Sequence, residues 1–205
     1  MKILRVFLLF TLFTSLINCS SKQKENTEVE MKIKIPKYEI TVFQSGKELG
    51  KIIIETFPKE APKHAANFDS LVSIGFYNGT AFHRVIPGFM IQGGDPNTKN
   101  FPNDRSKWGM GDPSQTRVPA EFNADLPNWS HKRGILSAAR TPDPNSATSQ
   151  FFIMHADSPH LDRQYSIYGQ VLEGIEVVDV IANTPKGPRD DPNDAITMQI
   201  RKLSE

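Results

Sequence analysis

The chain has 205 residues and a mass of 23.0 kDa, enough for one domain with a substantial hydrophobic core. Its 24 Lys and Arg stand against 23 Asp and Glu. That balance excludes a binder of nucleic-acid backbones, which needs a basic excess. A single cysteine excludes an intramolecular disulfide and any Cys-rich zinc site.

Residues 1–18, MKILRVFLLFTLFTSLIN, place Lys2 and Arg5 ahead of an apolar stretch from Val6 to Ile17. That stretch is shorter than the roughly 20 residues a membrane span needs and suits the core of a secretion signal. Cys19 follows directly, and the preceding Leu16-Ile17-Asn18 resembles a bacterial lipobox, with Asn18 in place of the usual small residue. The resemblance implies that residues 1–18 are removed and that Cys19 is acylated. It also implies a lipid anchor to a bacterial membrane in the cell envelope, on the periplasmic or surface side. Residues 19–36 are polar and charged and read as a flexible tether. The folded domain is expected over 37–205.

In chain order, Tyr38 to Phe43 and Lys51 to Phe57 read as strands joined by a turn-forming loop, 44–50. Pro58 to Ile74 reads as a helix. Ala61, Ala65, Phe68, Leu71 and Val72 recur at helical spacing, and Gly75 supplies a stop. The run AFHRVIPGFMIQGGD at 81–95 reads as two strands bent at Pro87-Gly88. Alternation on the second puts Met90 and Gln92 on one side, Phe89 and Ile91 on the other. Residues 93–133 form a long Gly-, Pro- and Asn-rich loop, expected to have a function or local structure. Strands follow at 134–140, 149–155 and 165–171, then a helix over 174–182 and a half-buried strand over 196–201. This order is not a βαβ alternation and suits an antiparallel sheet or barrel with two packed helices.

The five histidines, at 64, 83, 131, 155 and 160, show no metal-ligand spacing, and there is no Gly-rich phosphate loop or Gly-x-Ser-x-Gly elbow. The runs at 82–95 and 149–153 combine an Arg and two Gln with large apolar groups. That composition suits an apolar binding pocket with a few fixed polar groups, and equally a barrel core with a surface Arg.

FHRVIPGFMIQGGD, together with GILSAAR, SATSQFFI and LDRQYSIYGQV downstream, closely resembles the cyclophilin family of peptidyl-prolyl isomerases from about residue 37 to 203. The resemblance implies a mainly β fold, a closed eight-stranded antiparallel barrel capped by two α-helices. It implies rotation about Xaa–Pro bonds in proline-containing polypeptides, here envelope proteins assisted in folding by a monomer that uses neither cofactor nor metal. Arg84 matches the family's catalytic arginine. Phe89, Met90, Gln92, Gln150, Phe152, Leu161 and Tyr165 match its pocket, and Ala139 and Arg140 the strand that pairs with substrate. Arg140 stands where many members have Asn, Tyr165 where many eukaryotic members have His, and His160 where Trp is common. The segment 96–118 replaces the usual Gly-Thr-Gly-type loop. These departures leave a second reading open, a non-catalytic module of the same fold that holds proline-containing segments without turning them over.

Overall fold

The computed structural model describes residues 35–122 and 129–204. The expected signal, tether and Cys19 lie outside the described residues. Eight strands form one antiparallel sheet: β1 (Lys37–Gln44), β2 (Lys47–Thr56), β3 (Arg84–Ile86), β4 (Met90–Gly93), β5 (Ile135–Ala138), β6 (Phe151–Met154), β7 (Ile167–Glu173) and β8 (Ile196–Lys202). Their spatial order is β3-β4-β6-β5-β7-β2-β1-β8.

The β1–β2 connection is tighter than the sequence suggests. Ser45 and Gly46 alone form the turn, both at positive φ (50° and 77°). That geometry matches the twist of a two-residue hairpin, so β2 begins at Lys47. Alternation along β1 and β2 buries Tyr38, Ile40, Val42, Ile52 and Ile54.

The sheet is open rather than a closed barrel, because no ladder joins β3 to β8. The approach to β3 meets β8 at a single bridge, Ala81 to Thr197, flanked by hydrogen bonds from Phe82 N–H to Ile196 and from Met198 N–H to Thr80. Beyond that point other groups take the outer edge of β3. Val85 N–H donates to the Asp190 carbonyl at 2.8 Å, and Lys186 Nζ donates to the Val85 carbonyl at 3.0 Å. With its edge groups satisfied by a loop, β3 has none left to offer β8.

Two helices cover the sheet. Helix α1 (Pro62–Ser73) packs on β7 and β8 and starts four residues later than the apolar spacing predicts. Pro62 is suited to the first helical position, where its missing N–H costs nothing. The next N–H groups, of Lys63 and His64, donate to the Glu121 carboxylate at 3.0 Å each. A distant acid thus serves as the cap that Ala61 cannot provide. Phe68 carries this helix into the core, edge-on to Tyr38 at 5.1 Å and near Tyr77, Phe151 and Tyr168. A single-turn helix, α2 (Asn97–Asn100), lies within the long loop. Helix α3 (Ile175–Ala182) buries Val177, Val178, Ile181 and Ala182 and packs on β2, β3 and β4. It follows Gly174, at φ 81°, where an added Cβ would lie 2.0 Å from the Lys51 carbonyl; only glycine fits there.

Burial pushes the imidazoles of His64, His83 and His131 below the ordinary histidine range, His83 to about 4 although Asp95 pulls it the other way. The unfolded chain takes up protons near pH 6.5 that the native state refuses. This stabilisation is complete above about pH 6.5 and is lost as pH falls toward 4, with His83 alone worth about 3 kcal/mol. Denaturant unfolding at pH 7 and pH 5 is expected to show the loss, and His83→Gln to reduce it. Equal stability at both pH values would contradict this.

Candidate active site

The functional surface follows from strand register. Arg84 sits opposite Gln92, Gln92 opposite Phe152, and Phe152 opposite Ser137. Residues directly opposite in an antiparallel sheet share a face, so these four form one row across β3, β4, β6 and β5. A neighbouring row on the same face is Ile86, Met90 and Met154. The intervening residues Val85, Ile91, Ile153 and Leu136 belong to the main core. Met90, Phe152, Met154 and Leu161 form a second buried cluster, packed by Phe89, Ala139 and Tyr165.

This second cluster lines a cleft of about 430 Å³ whose walls are Arg84, Phe89, Met90, Gln92, Ala139, Arg140, Phe152, Leu161 and Tyr165. Nine of the ten residues that the sequence points to within the domain therefore meet at one place. The tenth, Gln150, lies in an adjoining cleft with Met110, Gly111, Arg117, Thr141 and Ser146. Gln92, Ala139 and Arg140 line both clefts. Phe89 departs from the alternation read along the strand. It is the last residue of the turn from Ile86, with its N–H on the Ile86 carbonyl at 3.0 Å, and it joins the cleft on the Met90 side.

The polar groups differ sharply in their commitments. Arg84 is exposed, and its guanidinium makes no hydrogen bond or ion pair with any other described residue. Gln92 Nε2 donates to Gln150 Oε1 at 3.0 Å, and Gln150 Nε2 donates to the Gly109 carbonyl at 3.2 Å. Gln92 is thereby fixed opposite Arg84. The Arg140 guanidinium, by contrast, is held by main-chain carbonyls. It donates twice to the Gln164 carbonyl, at 3.0 and 2.8 Å, and to the Thr141 carbonyl at 2.8 Å. It also lies 4.4 Å from the Tyr165 ring centre, a cation–π contact that holds Tyr165 edge-on to Phe152. Ala139 gives its N–H to the Gln150 carbonyl at 3.0 Å. The Ala139 carbonyl and the Arg140 N–H have no partner among the described residues, which leaves one acceptor and one donor at the cleft rim.

Two supporting networks carried no signal in the sequence. Under the cleft floor, the Ser137 hydroxyl and His131 Nε2 are 2.9 Å apart, and His131 Nδ1 and Asp162 Oδ1 are 2.8 Å apart. Asp162 also accepts from His131 N–H and Ser130 Oγ. Burial works against the Asp162 charge, but these donors outweigh it and hold the carboxyl below its usual range. The His131 ring stacks on Phe152 with a 19° tilt, and Asp162 adjoins the Leu161 wall. Ser137 is fully buried, so this Ser-His-Asp order supports the floor and has no access to a substrate. In the long loop, buried Asp95 accepts N–H groups from Asn97, Gly109 and Gly111. This holds Met110, 76% exposed, between two glycines at positive φ on the rim of the second cleft.

Asp162→Ala leaves the buried His131 Nδ1–H without its acceptor. The expected loss is about 2 kcal/mol of stability, read by denaturant unfolding at pH 7. An unchanged midpoint would show that the network does not hold the floor.

Residues 40–203 match the family described as cyclophilin type peptidyl-prolyl cis-trans isomerase/CLD. A Brucella abortus protein named "Probable peptidyl-prolyl cis-trans isomerase" is 45% identical over 64% of this chain and 66% of its own length; the match thus spans about two thirds of that relative. A peptidyl-prolyl cis-trans isomerase of Acinetobacter baylyi is 44% identical over 71% of this chain and 73% of its own. A solved cyclophilin type isomerase of Cryptosporidium parvum superposes with a TM-score of 0.70 at 30% identity, covering 84% of this chain and 99% of its own. The same protein has been solved in the presence of the dipeptide Ala-Pro, with a TM-score of 0.68, 30% identity and coverage of 82% and 99%.

Proposed function

This chain belongs to the cyclophilin-type peptidyl-prolyl cis-trans isomerase family, and from that premise we propose that its cleft catalyses rotation about Xaa–Pro bonds in extended polypeptides. The observation that carries this reading is the Arg84 guanidinium, unpaired among the described residues, at an apolar floor of Met90, Phe152 and Leu161.

The barrier to rotation, roughly 20 kcal/mol, is amide resonance. At the twisted transition state the proline nitrogen regains its lone pair, becomes pyramidal and can accept a hydrogen bond. In the planar ground state it cannot. A donor placed at that nitrogen therefore binds the transition state selectively. Arg84 is suited to this because it has no competing partner among the described residues and its planar fork is always charged. Gln92, fixed through Gln150 and Gly109, has a carbonyl oxygen with no partner among the described residues, available to orient Arg84 or to accept a peptide N–H.

The proline ring fits against Phe89, Met90, Phe152 and Leu161. An apolar wall also disfavours the charge-separated planar amide. The free Ala139 carbonyl and Arg140 N–H pair with the peptide backbone as an added strand, so Arg140 contributes its main chain while its side chain braces Tyr165. The chain flanking the proline then runs into the second cleft, past Gln150 and Met110. No covalent bond forms. Lowering the barrier by about 7 kcal/mol gives roughly 10⁵-fold acceleration.

Arg84→Ala and Arg84→Lys are each expected to lower kcat/KM at least about 100-fold without changing thermal stability. Lysine is a point charge without the fork and should not rescue. A protease-coupled isomerisation assay reads this. Near-normal turnover in Arg84→Lys contradicts the role. Binding of proline peptides without any turnover in the unmodified protein favours the non-catalytic module instead.

We propose further that Cys19 is acylated and tethers a monomeric domain to a bacterial envelope membrane, where proteins of that compartment are its substrates. The support is the apolar run of 6–17 ending at the chain's sole cysteine. Two or more acyl chains suffice for stable anchoring. Cys19→Ser is expected to move the protein from the membrane to the soluble fraction with isomerase activity intact. A Cys19→Ser protein that still sediments with membranes contradicts acyl anchoring.

A further inference from the structure

Phe89 reaches the cleft from a tight turn. Ile86 to Phe89 is closed by the Phe89 N–H to Ile86 carbonyl bond, with Pro87 second and Gly88 third at φ 74°. This is the proline-then-glycine arrangement of a type II turn. Such a turn leaves the N–H of its third residue outside the closing bond, and here that group has a defined partner. Gly88 N–H donates to His155 Nδ1 at 2.9 Å. The His155 main chain holds the same turn, its N–H donating to the Phe89 carbonyl at 2.9 Å.

An imidazole nitrogen accepts a hydrogen bond only when it carries no proton. His155 Nδ1 is therefore bare, and Nε2 bears the hydrogen. Nε2 lies 3.2 Å from Asp179 Oδ1 on α3. Asp179 is in turn gripped by both Arg133 terminal nitrogens at 2.7 and 2.8 Å, and Arg133 also donates to the His155 carbonyl at 2.7 Å. The His155 ring is thus oriented from one side by a carboxylate and presents a lone pair to the turn on the other.

We infer that His155 is a positioning residue for substrate binding, whose neutral ring fixes the Pro87–Gly88–Phe89 turn and hence the Phe89 wall of the cleft. The inference rests on the proposed role of Phe89 in holding proline. Histidine gains its charge between pH 8 and pH 5. Once protonated, Nδ1–H faces Gly88 N–H, donor against donor, and the turn loses its anchor. The groups around the ring are Asp179, which favours the charged form, Arg133, which opposes it, and the Gly88 N–H, which also opposes it. His160 stacks on Phe89 at 5.8 Å, so the effect of His155 must be read as a difference between variants. Asparagine at 155 offers an amide oxygen that accepts Gly88 N–H at every pH. Phenylalanine offers none.

The test has two arms. In the ¹⁵N-labelled unmodified protein, the Gly88 amide resonance is followed from pH 8 to pH 5 beside the His155 ring nitrogens. The expected result is a Gly88 shift that tracks the His155 titration; a Gly88 amide indifferent to it overturns the inference. In the second arm, KM and kcat for an Ala-Pro peptide are measured at pH 8 and pH 5. The KM of the unmodified protein should rise about fivefold at pH 5 relative to that of His155→Asn, the effect of losing one hydrogen bond, with kcat little changed. His155→Phe should show the raised KM already at pH 8. Superimposable pH profiles for unmodified protein and His155→Asn overturn it. If the unmodified protein turns over no peptide, the isomerase reading fails, and the Gly88 titration alone decides the inference.

Discussion

Antiparallel register across β3, β4, β6 and β5 is the constraint on which the site depends. Pleating sends alternate residues to opposite faces. Val85, Ile91, Ile153 and Leu136 are committed to the core, so Arg84, Gln92, Phe152 and Ser137 must share the other face. A slip of β3 by one residue against β4 would bury Arg84 and expose Val85. The hydrophobic demand of the core thus fixes the position of a charged group that contributes nothing to the core itself.

Around that row, most side-chain polar groups hold neighbours still, and the few that a peptide could use have no partner among the described residues. Gln150 fixes Gln92, Arg140 braces Tyr165, and Asp162 fixes His131 beneath Phe152. Asp95 pins the loop carrying Met110. The Arg84 guanidinium, the Ala139 carbonyl and the Arg140 N–H stand open at the cleft. This is the preorganisation expected where binding must cost little rearrangement and where a donor must meet a nitrogen that accepts only when twisted.

Much of this was legible in the sequence because alternation and motif agreed. The strands holding Arg84, Met90, Gln92 and Phe152 were read within three residues of their bounds, and the resemblance gathered nine residues that do line one cleft. The misreadings have physical causes. Phe89 breaks the period of two because it belongs to a turn and not to a strand. The start of α1 is set by Pro62 and by Glu121, a cap brought from nearly sixty residues away. Closure of the barrel fails because Asp190 and Lys186 take the edge groups of β3. The His131–Asp162–Ser137 and His155–Asp179–Arg133 networks were invisible because topology alone brings their members together. A lone histidine gives no local sign of what it faces.

The central claim is that proline sits on Phe152 beneath Arg84 and is turned over there. Exchange spectroscopy on an Ala-Pro peptide mixed with the protein tests this directly, since it detects cis–trans interconversion and contact at once. The expected result is cross-peaks between cis and trans proline resonances on a sub-second timescale, against tens of seconds or more without catalyst. Nuclear Overhauser contacts from the proline ring to Phe152, Met90 and Leu161 should accompany them. Interconversion no faster than in the free peptide, or proline contacts lying only in the second cleft, would contradict it.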